Sequence, residues 1–369
     1  MPETEILNYI YHRLPQASIP ISSSNDKKPR LLIKLIATLY KYRNKVNGHQ
    51  WYTYGQELEI WDNWVDKLVI DLTQNFLNGH YDGSGPWEFI LFPTKYNDPL
   101  PAFIITEMER KGYIIIRPTD EMGNHLHYRP APIGESTATL WWKTWTNLFT
   151  LTILYIRMLS AHGSALRERW HDWAKFSSYY LFEDKIPTNK DINEIVKKLK
   201  LYYGRSYEHI TLNRNRKKIL TIEIRMCEAH PLKAWAFIYL ITEITRQEKY
   251  PLFLVKDYQK LDDFYYDLAQ GNITDYDNVK WEDIGLKPTK TIHDEMPLRR
   301  ILINIYRTYI KLKPKTPQSW LARKILEYVY DEEKDIITKN DVEEFYQYLR
   351  LKKREETLAN ILTRAVKNI

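Results

Sequence analysis

The sequence predicts an α+β protein whose mixed core is followed by a helical region. Several short apolar segments bounded by turn residues lie within residues 87–129, and two more lie within 207–226. This is the pattern of strands. Longer segments with helical periodicity lie before, between and after them. From about residue 251 onward only helical patterns are found. We therefore expect an N-terminal helix and linker at 1–30, a mixed core at 31–250 and a helical C-terminal region at 251–369.

In the first part of the chain, helices and strands alternate. Periodicity predicts a helix at 6–14 and, after a loop containing serine and proline, a second helix at 31–46. A strand at 51–60 and a helix at 63–78 follow. Turn residues then separate four short predicted strands, at 87–92, 102–107, 113–117 and 125–129.

The rest of the chain is dominated by helices. They are predicted at 136–160, 164–182 and 191–200, before two further strands at 207–212 and 219–226. Pro231 stands where helices commonly begin, so the apolar segment 232–245 is predicted to be a buried helix. The helical region that follows contains predicted helices at 256–270, 298–311, 318–328 and 341–367.

Composition excludes several classes of protein. With 44% hydrophobic and 27% charged residues, the 369-residue chain has the composition of a globular protein and not of a disordered one. None of the 12 glycines precedes a lysine, which excludes a Walker A phosphate loop. The single cysteine, Cys227, excludes an internal disulfide and a cysteine-cluster zinc site.

Charge and hydropathy constrain the partners less strongly. A net charge of +7 and a pI near 9.0 fit an anionic partner or an ordinary basic surface, and they do not require nucleic acid. The most apolar stretch, residues 148–159, is too short to span a bilayer, and no signal-peptide pattern is found. The expected location is therefore cytoplasmic, with no membrane partner.

Three predicted strands each carry two polar groups at positions i and i+2. Since side chains alternate between the two faces of a strand, both groups of a pair lie on the same face. The three pairs are Glu57 with Glu59, His125 with His127, and Glu223 with Arg225. A fourth predicted strand carries a single glutamate, Glu88. We expect the acidic residues and His125 to converge on one sheet face within roughly 15 Å, about three to four strand spacings.

Each pair alone has a simpler interpretation. A Glu-x-Glu strand commonly lies on the hydrated face of an antiparallel sheet. A Glu-x-Arg strand commonly forms a cross-strand ion pair, and the two histidines of a His-x-His strand need not act together. Together, however, clustered carboxylates repel one another unless a cation neutralises them. Carboxylate oxygens with one imidazole suit Mg²⁺ or Mn²⁺ better than structural zinc. The combination therefore predicts a divalent-metal site.

A resemblance to a known family rests on the order of these motifs. The similar segments are Tyr54-Gly55-Gln56-Glu57-Leu58-Glu59; Asp82-Gly83-Ser84 with Glu88 and Pro93; Gly123-Asn124-His125-Leu126-His127; and a closing block of Arg205-Ser206-Tyr207, Leu212-Asn213 and Thr221-Ile222-Glu223-Ile224-Arg225. Their order resembles that of the amidoligases, a family of the carboxylate–amine ligase superfamily with the glutamine synthetase fold. The resemblance spans roughly residues 51–245 and gives no counterpart for the region after residue 250.

The resemblance implies a curved antiparallel sheet flanked by helices, with ATP-dependent formation of an amide (isopeptide-type) bond through an acyl phosphate. It implies that the ligands of Mg²⁺ or Mn²⁺ are Glu57, Glu59, Glu88, His125 and Glu223. Arg225 would neutralise the transferring phosphoryl group, and Glu223 would be the other catalytic residue. The implied nucleotide or substrate contacts are Ser84, His127, Arg167, Arg205 and Arg225. The substrates would be a small-molecule or protein carboxylate and an amine donor.

Two other functions fit part of the pattern. A His-hydrophobe-His strand is also the metal pair of rolling-circle replication nickases, for which the candidate nucleophiles are Tyr179, Tyr180, Tyr202 and Tyr203. That interpretation leaves the Glu57 pair, Glu88 and the Glu223 pair unexplained. The second alternative is a ligase-like scaffold that binds without catalysing, with the helical region as its interaction surface.

Overall fold

A computed structural model describes most of the core of the chain. It covers residues 27–40, 42, 50–81, 86–116, 123–151, 186–201, 210–214, 219–225, 231–270, 272–273, 279–290, 304–305, 308–309 and 322. The seven helices within these residues are α1 Lys27–Tyr40, α2 Lys67–Phe76, α3 Leu100–Arg110, α4 Glu135–Thr150, α5 Asp191–Leu201, α6 Pro231–Gln247 and α7 Tyr258–Gln270. The eight strands are β1 Thr53–Ile60, β2 His80–Tyr81, β3 Trp87–Lys95, β4 Asn124–Arg129, β5 Ile210–Arg214, β6 Leu220–Ile224, β7 Phe253–Val255 and β8 Leu286–Pro288.

Six of these strands form one open antiparallel sheet. Their order is β2-β3-β1-β4-β6-β5, so the first long strand lies in the interior of the sheet with β3 and β4 as its neighbours. Strand β4 then pairs with β6, which pairs with β5. The sequence-based expectation of an α+β core with an antiparallel sheet is confirmed at this level.

The sheet has an apolar face that packs against helix α6. Leu58, Leu126 and Ile222, from three adjacent strands, are buried on this face. The Tyr128 hydroxyl forms a 2.8 Å hydrogen bond with Thr242 Oγ1 of α6. Helix α6 also packs against α3 and α4, so the core lies between the sheet and these helices. Because side chains alternate between the two faces of a strand, the residues that flank these apolar ones have their side chains on the opposite face of the sheet.

A buried amide pair fixes the start of α6 beneath the central strands. Asn124 Nδ2 donates a 2.8 Å hydrogen bond to Gln56 Oε1, and Gln56 Nε2 donates a 3.2 Å bond to Pro231 O. Both amide side chains are buried among apolar groups. A buried polar group is costly without a partner, so these bonds favour one register of β1 against β4.

The predicted strand at 102–107 is wrong, because these residues lie in helix α3. The six side chains from Ala102 to Glu107 are all buried, so the segment has no alternation by which a strand could be told from a helix. Pro101 lies in the first turn, where proline favours helix initiation. Of the predicted strand at 113–117, the described residues 113–116 are not part of the sheet, and Ile114 forms an isolated bridge with Val65.

The other predicted strands and helices of the core are confirmed within the described residues. Helix α1 begins at Lys27, inside the predicted linker, and β3 continues to Lys95. The predicted helices at 6–14, 164–182, 298–311, 318–328 and 341–367 fall wholly or mostly outside the described residues. In the part of the chain that the structure describes, no helix has the length and apolarity needed to cross a bilayer.

Residues after 250 contain a two-stranded ribbon as well as a helix. Strands β7 and β8, each of three residues, pair in antiparallel fashion and were missed because they are too short to show a periodic pattern. This part packs onto the core, since Leu252 N donates a 3.0 Å hydrogen bond to Asn147 Oδ1 and Tyr265 donates a 2.9 Å bond to Thr150 O. The division into three domains stays a prediction.

Candidate metal centre

Strand pairing brings the sequence-predicted polar groups together on the face opposite α6. Glu57 lies directly across from His125, and Glu59 lies across from Glu88. His127 lies across from Glu223 on the next strand. Because residues directly opposite in a sheet share a face, all of these side chains are on one side. The expected convergence of the acidic residues and His125 is therefore confirmed.

His125 is the central group of this cluster. Its Nδ1 lies 3.7 Å from Glu57 Oε2 and 3.8 Å from Glu223 Oε1, while its Nε2 lies 3.6 Å from Glu59 Oε1. The side chains of His125 and Glu223 are 7% and 2% exposed, whereas that of Glu57 is 26% exposed. One ligand atom from each of these three residues lies within 4.8 Å of the other two, so the set could hold a metal ion.

The donor chemistry of this set fits a hard divalent cation. Two carboxylates and one imidazole match Mg²⁺ or Mn²⁺, which prefer oxygen ligands. With Nδ1 of His125 closest to the other two ligands, its Nε2 lies nearest Glu59 Oε1, at 3.6 Å and just beyond hydrogen-bonding distance. A carboxylate in that position commonly orients a ligating histidine, and the geometry therefore favours an orienting role for Glu59.

His127 forms an ion pair with Glu57. Its Nε2 lies 3.2 Å from Glu57 Oε1, in a contact that is close but not aligned as a hydrogen bond, and its Nδ1 lies 3.1 Å from Thr221 Oγ1. Burial alone would lower the pKa of His127, but the Glu57 carboxylate outweighs burial and raises the pKa to about 9. Burial would raise the pKa of Glu57, but the charge of His127 and the close approach of both imidazoles hold it well below its usual range. In the metal-free protein His127 therefore pairs with Glu57, beside the three candidate ligands.

Glu88 lies at the rim of the cluster. His80 Nε2 approaches Glu88 Oε2 at 3.2 Å, and the His80 side chain is 54% exposed. Burial, together with the negative charge of Glu57, raises the pKa of Glu88 to about 7. Glu88 is therefore harder to ionise than an exposed glutamate, chiefly because it is partly buried and in part because Glu57 is near.

Both oxygens of the Glu223 carboxylate have close donors. Arg225 NH1 donates a 2.7 Å hydrogen bond to Oε1, and Asn213 Nδ2 on β5 donates a 2.6 Å bond to Oε2. Two such bonds, one to each oxygen, restrict the rotation of a carboxylate. Glu223 is therefore held in one orientation at the edge of the cluster.

The His127–Glu57 ion pair predicts a pH dependence of stability in the metal-free protein. The pKa of His127 is about 9 in the folded protein and near 6.5 in an unfolded chain, so its stabilisation is complete below pH 6.5 and is lost as the pH rises to 9. The full effect is of the order of 3 kcal/mol. Glu88 acts in the same direction between pH 4.5 and 7, because its pKa is also raised.

Denaturation with urea in excess chelator, at pH 6 and at pH 9, measures this loss. His127→Gln should reduce the fall in unfolding free energy between the two pH values. Glu57→Gln should reduce it at least as much, because it removes the same ion pair and also the charge that raises the pKa of Glu88. The double variant should behave as Glu57→Gln does, with no additive effect. An equal fall in the wild type and in His127→Gln would contradict the prediction.

Three site residues named by the resemblance, Ser84, Arg167 and Arg205, lie outside the described residues. The sequence motifs indicated no role for Asn213, Thr221 or His80, which contact Glu223, His127 and Glu88 respectively. Thr221 could have been found, because it lies two residues before Glu223 and hence on the same face. The contacts of Asn213 and His80 depend on strand pairing, for which the sequence has no local signal.

The fold and the site define an α+β protein with a candidate divalent-metal centre on an antiparallel sheet. No protein-family model matches the chain, and no curated protein matches it at a significant level. The resemblance to the amidoligases therefore rests on the motifs and on the site they form.

Proposed function

We propose that the protein is an ATP- and Mg²⁺- or Mn²⁺-dependent carboxylate–amine ligase. The observation that carries the proposal is the convergence of Glu57, His125 and Glu223, with Arg225 beside them, on one face of an antiparallel sheet. The amidoligase-like order of the motifs supports the same assignment, since these residues belong to three of the quoted segments.

The charges of the site favour the binding of a cation together with a phosphate-bearing substrate. Four carboxylates share the face, whereas its described cationic groups are Arg225 and the His127 imidazolium. A buried excess of negative charge is unfavourable unless a cation reduces it. A divalent cation held by Glu57, His125 and Glu223 would neutralise phosphate oxygens, as phosphoryl transfer requires. The Arg225 guanidinium lies beside this group, where it could contact the same phosphate.

In the proposed reaction, the terminal phosphoryl group of ATP passes to a carboxylate oxygen and yields ADP and an acyl phosphate. The amine nitrogen then bonds to the acyl carbon, phosphate leaves with the C–O bonding electrons, and the nitrogen loses a proton. Arg225 would neutralise charge on the phosphoryl oxygens, and His127, Asn213 and Glu59 would orient the metal-binding groups. Ser84, Arg167 and Arg205 remain the proposed contacts to nucleotide or substrate.

Binding of a non-hydrolysable ATP analogue should depend on a divalent cation. Because the ligand set is rich in oxygen, calorimetry should show tighter binding with Mg²⁺ or Mn²⁺ than with Zn²⁺. Excess chelator should abolish most of the heat of binding. Equal affinity with and without chelator would contradict a metal-bridged nucleotide.

Product analysis distinguishes the ligase from its alternatives. ADP release that requires both a carboxylate and an amine supports the ligase. Metal-dependent nucleotide binding without ADP release would indicate a scaffold that binds without catalysing. Cleavage of single-stranded DNA would indicate the nickase.

A further inference from the structure

The two oxygens of Glu223 are held by donors of different kinds. Asn213 is neutral and lies on β5, which is paired with β6 over five residues, so its amide is fixed by the sheet. Arg225 is positively charged and follows the last residue of β6. The Arg225 side chain is 24% exposed, whereas that of Glu223 is 2% exposed. The amide is therefore a built-in support, and the guanidinium has access to solvent.

The charged donor occupies the oxygen that faces the candidate ligands. Glu223 Oε1 accepts from Arg225 NH1 at 2.7 Å and lies 3.8 Å from His125 Nδ1. A divalent ion at this oxygen would therefore meet a guanidinium at close range. Two cations this close repel each other, and the repulsion is strong at a largely buried site. The neutral amide at Oε2 imposes no such penalty.

We propose that Arg225 acts as an internal cation at Glu223 that a divalent metal displaces, after which the guanidinium binds a tetrahedral oxyanion of the phosphate class. Asn213 remains in place and is the positioning residue that holds Glu223 for the metal. The displacement of Arg225 by a metal is inferred from the contacts of Glu223. The binding of an oxyanion by the displaced guanidinium rests on the proposed function. Metal and oxyanion then bind cooperatively, and by linkage each raises the affinity of the other by the same factor.

The test is Mn²⁺ binding by calorimetry at constant ionic strength, with chloride or sulfate as the anion. Sulfate serves as the tetrahedral oxyanion probe. Wild-type protein should bind Mn²⁺ about tenfold more tightly in sulfate than in chloride. Arg225→Gln should bind Mn²⁺ about tenfold more tightly than wild type in chloride and should gain nothing from sulfate. Asn213→Ala should bind it about 10- to 100-fold more weakly, as is typical when a group that orients a metal ligand is lost.

Arg246→Gln is the matched control, because Arg246 also pairs with a glutamate, Glu243, at 3.1 Å and does not contact the cluster. It should bind Mn²⁺ as the wild type does in both anions. Melting temperatures with and without Mn²⁺ show whether each variant is folded, and Mn²⁺ should stabilise Arg225→Gln more than wild type, since it restores a cation beside Glu223. The comparison of anions in the wild type needs no variant.

Failure of the inference and failure of the proposed function give different results in this experiment. If folded Arg225→Gln binds Mn²⁺ with wild-type affinity or more weakly, Arg225 does not compete with the metal and the inference is overturned. If neither protein binds Mn²⁺, both the inference and the metal-dependent function are overturned. If Mn²⁺ and sulfate behave as expected but no ATP analogue binds, the inference is supported and the nucleotide part of the proposed function fails.

Discussion

Arg225→Lys should lower ATP turnover by about 10²-fold or more, on the scale of losing one preorganised donor. Lysine keeps the charge but loses the planar fork that matches phosphate oxygens. If Arg225 neutralises charge that develops during phosphoryl transfer, its interaction is stronger in the transition state than with bound ATP. Nucleotide affinity should therefore change by only about a few-fold.

Measuring ADP release and melting temperature on the same samples decides between a catalytic and a structural Arg225. Arg246→Lys is the control, since Arg246 is paired with Glu243 on α6 and is not part of the cluster. It should keep wild-type turnover. A destabilised Arg225→Lys with normal turnover per folded molecule would mean that its ion pair with Glu223 only supports the fold.

Glu57→Gln should weaken Mn²⁺ binding by about 10²-fold, at the upper end of the range for groups around a metal. The substitution keeps the size of the side chain and removes the charge of one of the three candidate ligands. The remaining set, His125 and Glu223, offers one carboxylate and one imidazole, which is a poor site for a hard cation. Titration calorimetry on the chelator-treated protein measures the change.

Glu243→Gln is a suitable control for this experiment. Its carboxylate is partly buried and paired with Arg246, as Glu57 is partly buried and paired with His127, but it lies on helix α6. Its Mn²⁺ affinity should equal that of the wild type. If Glu57→Gln binds Mn²⁺ as tightly as the wild type while remaining folded, Glu57 is not a ligand and the centre must be assigned to other groups.

Much of the candidate site was predictable because strand geometry is local. Glu57 and Glu59 share a face in any strand, whatever the strand pairs with, and the same holds for His125 and His127. The flanking Leu58 and Leu126 are then directed toward the core, as the structure shows. Where a segment has no such alternation, the prediction was wrong: residues 102–107 are all buried, and they form part of helix α3.

Local pattern could not determine which strands are neighbours. Glu57 meets His125 and Glu223 because β1 lies beside β4 and β4 beside β6, and these pairings join residues up to 166 positions apart, from 57 to 223. Only contacts in the folded protein can offset the chain entropy lost in closing such loops. The sequence alone thus determined the residue types and the shared faces. The tertiary structure decided that Asn213 supports Glu223, that His127 pairs with Glu57 and that Glu59 faces the second nitrogen of His125, because each contact depends on strand register and side-chain packing.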